Sequence, residues 1–246
     1  MPFTFSHPAI VLPFRYLPKR WVSLTGLIIG SMIPDFEYFI RMRVKSIYSH
    51  TWAGLFWFDL PLGLVIIFVY QILIKDRVIL NLPVALNRRF SRFRGVDKQG
   101  SFLQYLLIVV LSILIGAASH ILWDGFTHPN GYFVTMMPAL SYTIHLGEHQ
   151  LFVYKVIQHG SSVIGVIVIV LAVYTLPLGN PKKNRHVVVF WVQIFVISII
   201  ILAVRLMAGL SYHQYGNVIV TVIAGGFIGL IITSITISLK AIISDK

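Results

Sequence analysis

Six apolar runs stand out along the chain: Val22–Ile33, Ala53–Ile74, Phe102–Trp123, Ser161–Leu178, Val187–Met207 and Val218–Ile243. The last five reach or approach the roughly 20 residues that a helix needs to cross a bilayer. They are predicted to be spanning helices. The first run stops short at Pro34-Asp35, and Pro8, Pro13 and Pro18 lie upstream of it. That pattern predicts a broken or re-entrant helix, whose irregular backbone is tolerated where it lines a polar cavity. The fold class that follows is all-α: a polytopic integral membrane protein with five full spans plus the N-terminal broken helix, in a single membrane domain over residues 1–246.

Composition agrees with this pattern. The chain is 57% hydrophobic and 11% charged, with a mean hydropathy of +0.83, against about 25% charged in a soluble domain. No signal-peptide pattern opens the sequence, so insertion is expected to be directed by the spans themselves. Twenty Lys+Arg against eight Asp+Glu give a net charge of +12. So basic a chain suggests nucleic acid, but the placement of the charge argues against it. Lys75, Arg77, Arg88, Arg89, Arg92, Arg94 and Lys98 share the segment 75–101, and Lys182, Lys183 and Arg185 share the next basic loop. Residues 124–154 hold no Lys or Arg. This is the positive-inside distribution. It makes 75–101 a basic cytoplasmic loop containing an amphipathic surface helix, makes 124–154 an outer loop, and leaves membrane lipids as the expected partners of the basic segments. With no cysteine in the chain, any metal must be held by His, Asp and Glu.

Those residue types gather on the predicted outer side. His120 and Asp124 are four apart on a helix, one turn above each other and able to grip one ion. His128 follows a turn later, with Pro129 set to end the helix. Asp35 and Glu37 close the first apolar run, His7 lies in the N-terminal hairpin (residues 1–50), and His50 precedes the second run. His145 and His149 are again four apart, a second ligand-type pair if that segment is helical, with Glu148 beside them. His159 lies near the start of a later span and is equally a site residue or a helix-start residue. Asp59 is a candidate ligand, interhelical polar residue or cap, and stays outside the ligand set. Imidazole and carboxylate together suit Zn²⁺, Mn²⁺ or Fe²⁺.

The segments Ser6-His7-Pro8, Ile33-Pro34-Asp35-Phe36-Glu37, Ser49-His50-Thr51, Ser119-His120-Ile121-Leu122-Trp123-Asp124-Gly125-Phe126-Thr127-His128 and Gln158-His159-Gly160 resemble the motifs of a bacterial membrane family designated domain of unknown function 4184. Their order is also similar to that of predicted membrane-bound metal-dependent hydrolases and, more faintly, of zinc-dependent phospholipase C. The resemblance implies that His7, Asp35, His50, His120, Asp124 and His128 are ligands, that Asp35 doubles as general base, and that His145 with Glu148 or His149 forms the last ligand pair. The sequence departs from the phospholipase pattern there, having His-x-x-x-His where that enzyme has His-x-x-x-Glu.

Residues and resemblance together lead to the expectation of a metal-dependent hydrolase in the cell membrane. It would act on a phosphate ester, of a lipid or lipid-linked substrate, through metal-activated water on the non-cytoplasmic face. The alternative is a non-enzymatic membrane protein that binds or transports a metal ion or a proton. A transporter needs polar residues continuing to the cytoplasmic side, and the inner halves of spans 102–123, 155–178 and 218–240 offer few beyond Ser, Thr and Gly.

Overall fold

The computed structural model describes residues 3–95, 101–147, 149–181 and 187–244. In chain order the helices are α1 (Pro8–Val11), α2 (Leu24–Met32), α3 (Phe36–Arg41), α4 (Leu60–Val69), α5 (Lys75–Leu80), α6 (Val84–Phe90), α7 (Phe102–Thr127), α8 (Tyr132–Met136), α9 (Val153–Tyr174), α10 (Val187–Met207) and α11 (Tyr215–Ser244). The π-helical turn Leu55–Asp59 leads into α4 and a second, Tyr70–Ile74, joins α4 to α5, making one continuous rod. A two-stranded hairpin, β1 (Thr143–Leu146) and β2 (His149–Phe152), precedes α9.

Five helical rods among the described residues are long and apolar enough to cross a membrane: Leu55–Leu80, Phe102–Met136, Val153–Tyr174, Val187–Met207 and Tyr215–Ser238. The fold is that of an all-α polytopic membrane protein, with the five spans that the apolar runs predict. The rods differ from the runs at their ends. Lys75 and Arg77 fall inside the first rod, where the Lys75 ammonium is buried against Gln71 Oε1 and the Gly95 carbonyl. Segment 75–101 therefore begins as helix, and α6 is its second helical piece. Lys98, Lys182, Lys183 and Arg185 lie outside the described residues.

The chain divides into two compact units. The first comprises Met1–Asp35, Ile47–Ile67 and Gln99–Thr175. Within it the N-terminal segment forms a hairpin of short helices. Its first limb runs along α9: Phe3 N donates to Ser162 Oγ at 3.1 Å, a Cβ on Gly165 would stand 2.9 Å from the Ser6 carbonyl oxygen, and Arg15 Nη1 reaches the Ala172 carbonyl at 3.4 Å. The second limb returns along α7. Ser23 caps α2, and its own N–H donates to Ser112 Oγ at 2.9 Å.

Small residues make the return limb possible. Gly26 and Gly30 are four apart on α2, and they meet Ser112 and Gly116, four apart on α7. A Cβ on Gly30 would overlap the Ile113 carbonyl, and one on Gly116 would stand 2.5 Å from the Leu27 carbonyl oxygen. Such close backbone approach is how helices pack where no hydrophobic drive separates them from lipid. One turn beyond Gly116 on the same stripe of α7 stands His120.

The second unit comprises Phe36–Ser46, Phe68–Lys98 and Leu176–Lys246. In it α10 and α11 pack together, with Ser198 Oγ donating to the Val222 carbonyl at 2.8 Å. The segment of α3 rests on α11 through Phe36 and Phe227, whose rings stack 5.1 Å apart. Beyond α3, Val44 N donates to Asn217 Oδ1 at 2.8 Å.

Candidate metal centre

Four pieces of the first unit converge on one point. Helix α7 contributes His120, fully buried, and Asp124 one turn later. The 3₁₀ turn Ile33–Asp35 ends on Asp35. The turn Thr4–Ser6 delivers His7, which caps α1 ahead of Pro8. His50 comes from the turn before the first spanning rod.

The separations decide what the cluster is suited to. His50 Nε2 stands 3.4 Å from Asp35 Oδ1 and 3.5 Å from Asp124 Oδ2. His120 Nε2 stands 3.7 Å and 3.4 Å from the same two oxygens, and His7 Nε2 stands 3.8 Å from Asp124 Oδ1. Most of these are too long for good hydrogen bonds. Two ligands about 2.1 Å from a tetrahedral ion lie about 3.4 Å apart, which is the spacing found. The ligand atoms of His7, Asp35 and His120, and those of His50, His120 and Asp124, each fall within 4.8 Å of one another.

Neighbouring groups fix the orientation of these side chains. His120 Nδ1 lies 2.7 Å from the Ser31 carbonyl, which can only accept. Nδ1 therefore carries the proton, and the Nε2 lone pair faces the carboxylates. Thr4 Oγ1 donates to Asp35 Oδ2 at 2.5 Å, leaving Oδ1 toward the histidines. Ser49 Oγ lies 3.0 Å from His50 Nδ1, and the His7 and His120 rings stack 3.7 Å apart. Burial alone would depress the pKa of His50, but the Asp124 and Asp35 carboxylates outweigh it and raise it to about 9.

The site fits a divalent cation on its own chemistry. His7 Nε2, His120 Nε2 and Asp124 Oδ1 are buried without a hydrogen-bond partner, an arrangement costing about 1–3 kcal/mol per atom unless something fills it. A donor set of imidazoles and carboxylates without thiolate suits Zn²⁺, Mn²⁺ or Fe²⁺. His128, at the C-terminal cap of α7, lies on the rim. Its Nδ1 is 3.6 Å from Asp124 Oδ1 and 3.2 Å from the Asp124 carbonyl.

Other sequence-predicted residues fall elsewhere. Glu37 belongs to the second unit, where Arg41 Nη2 pairs with its Oε1 at 2.7 Å and Ser46 donates to its Oε2 at 3.3 Å. Its carboxylate is paired with a guanidinium and falls in neither of the two ligand groups found among the described residues. The i,i+4 geometry expected of His145 and His149 is replaced by a β-hairpin, in which His145 pairs with Gln150 and Leu146 with His149. Gly147 turns that hairpin with φ of 63°, a conformation that breaks a helix. His145 is exposed, as is His159 on α9. Glu148 lies outside the described residues, as does the side chain of His149. Asp59 is fully buried in the first π-helical turn. Thr4 and the Ser31 carbonyl escaped sequence reasoning, and Ser49 entered it only as a neighbour of His50 in the Ser49-His50-Thr51 segment. The hydroxyls at Thr4 and Ser49, just before His7 and His50, were the available signal.

These features define an all-helical multi-pass membrane protein with a buried His/Asp cluster of metal-binding type. The chain belongs to the family described as Domain of unknown function (DUF4184), which matches residues 1–235. No curated protein and no solved structure matches it.

Proposed function

We propose that this chain is a metal-dependent hydrolase of the cell membrane that cleaves a phosphate ester, of a lipid or lipid-linked substrate, on the non-cytoplasmic face. The observation carrying this reading is the convergence of three imidazole Nε2 atoms and two carboxylates, three of those donor atoms buried without a hydrogen-bond partner. His7, Asp35, His50, His120 and Asp124 would hold the metal, zinc by preference, with His128 at the rim. When bound, the metal acidifies a water and polarises a phosphoryl oxygen.

Asp35 accepts the proton of the attacking water. Its Oδ2 is committed to Thr4 and its Oδ1 faces the histidines, so the carboxylate is held in one orientation. The water oxygen bonds to phosphorus, the ester P–O bond breaks, and the departing alkoxide takes up the proton. Lipid is favoured as substrate by access. His120 lies two turns from the end of a 26-residue apolar helix, a depth that a lipid headgroup reaches laterally at least as readily as a soluble ester. The absence of Lys and Arg from 124–154 supports the non-cytoplasmic face.

The test is hydrolysis of a phospholipid and polyprenyl-phosphate panel by the detergent-purified chain, with bound metal quantified on the same sample. Activity should vanish with chelator and return with one metal. Asp35→Asn should lower turnover by about 10²–10⁴-fold. A metal-loaded protein that hydrolyses nothing yet moves metal or protons in liposomes overturns the hydrolase reading in favour of transport.

A further inference from the structure

Gln158 is completely buried on α9. Its Oε1 accepts from the Lys155 ammonium at 2.9 Å. An ammonium can only donate, so the orientation of the amide is forced: oxygen toward Lys155, leaving Nε2 as the remaining donor. That Nε2 is buried with no hydrogen-bond partner, a state native proteins avoid unless a ligand or water supplies the acceptor. Lys155 is a second, independent anomaly. It is the sole Lys or Arg between residues 124 and 175, and its polar partner is an amide rather than a carboxylate.

The helix that carries the pair packs against elements that carry the histidine cluster. Trp123, adjacent to Asp124, donates Nε1 to Ser161 Oγ at 3.3 Å, and Ser161 and Ser162 donate to the Gln158 carbonyl at 3.1 and 2.8 Å. Gln158, Ser162 and Gly165 follow i, i+4, i+7 spacing and so share one stripe of α9. The latter two meet the segment Phe3–Ser6, which holds Asp35 through Thr4 and leads into His7.

We infer that the Gln158 amide and the Lys155 ammonium form an anion subsite beside the cluster, taking a non-bridging phosphoryl oxygen of the substrate. The identity of the anion rests on the hydrolase reading. The two donors have the chemistry of phosphate recognition: one charged and half-buried, the other neutral and fixed in direction.

The experiment is calorimetric titration of the full-length, zinc-loaded protein in phosphate-free maltoside detergent with inorganic phosphate, zinc content being measured on each sample. Wild type should bind phosphate saturably. Gln158→Glu keeps the size and the Lys155 contact but turns the donor into an acceptor, and should weaken phosphate binding about tenfold or more at unchanged zinc content. Lys155→Gln, at a half-buried position, should do the same and decides the matter if the first variant fails to fold. Unchanged phosphate affinity in the folded, zinc-loaded variants overturns the subsite, as does a wild type that binds no phosphate. A wild type that takes up neither zinc nor manganese nor iron overturns the hydrolase reading instead, and its phosphate titration still judges the subsite.

Discussion

Asp35 and Glu37 stand two residues apart, both carboxylates and both almost completely buried, yet their partners belong to different chemistry. Asp35 faces His50 and His120 at 3.4 and 3.7 Å. Glu37 receives Arg41 Nη2 and Nε on one oxygen, at 2.7 and 2.8 Å. A guanidinium is always protonated and cannot ligate, so its pairing with the buried carboxylate is structural. Imidazole can be neutral and present a lone pair, so it leaves the carboxylate open to an ion. Burial marks both residues; the titration chemistry of the partner separates them.

The sharpest way to break this comparison is to neutralise each carboxylate in turn and titrate zinc. Asp35→Asn should weaken binding on the order of 100-fold or more, beyond the loss typical of a group that only orients a ligand. Glu37→Gln should leave zinc affinity essentially unchanged. Equal losses from both would dissolve the distinction. Stability should show the opposite order. Glu37→Gln should cost roughly 2 kcal/mol in detergent unfolding, less than the ~3–5 kcal/mol of a fully buried pair, because the Arg41 side chain is 33% exposed. Asp35→Asn should cost the metal-free protein less, since the His50 and His120 contacts it weakens are 3.4 and 3.7 Å long, whereas Arg41 holds Glu37 at 2.7 and 2.8 Å.

Gly30→Ala probes how the open carboxylate acquires its histidine. The added methyl overlaps the Ile113 carbonyl and should cost about 1–3 kcal/mol. It should lower zinc affinity too, because Ser31, the next residue, orients His120. A stability loss with intact zinc affinity would mean that α2 and α7 need not touch for the cluster to form. The smallest effect is expected from Thr4→Val, which removes the hydroxyl on Asp35 Oδ2 but no ligand. Zinc affinity should fall about tenfold, with a stability loss of about 1–3 kcal/mol from the unpaired Asp35 Oδ2, and a fall in affinity as large as that of Asp35→Asn would make Thr4 more than an orienting group.

Much of this was legible in the sequence because it is written locally. Five apolar runs predicted five spans, and the structure shifts mainly their ends. The His120/Asp124 juxtaposition followed from i,i+4 spacing on a long apolar helix. The same spacing misled at His145 and His149, where Gly147 turns the chain and the period becomes that of a strand. Glu37 was grouped with Asp35 by proximity along the chain, which carries no information about a pairing made one helical turn later with Arg41.

The sequence by itself determined the class of protein, its spans and the helical half of the cluster, because hydropathy and helical period depend on neighbours within a few residues. Only the tertiary structure decided which scattered ligands meet. Ser31 reaches His120 across 89 positions and Thr4 reaches Asp35 across 31. Those encounters depend on two glycines of α2 letting its backbone lie against α7, and on the N-terminal limb lying along α9. Both are matters of shape between distant segments, which no local pattern encodes.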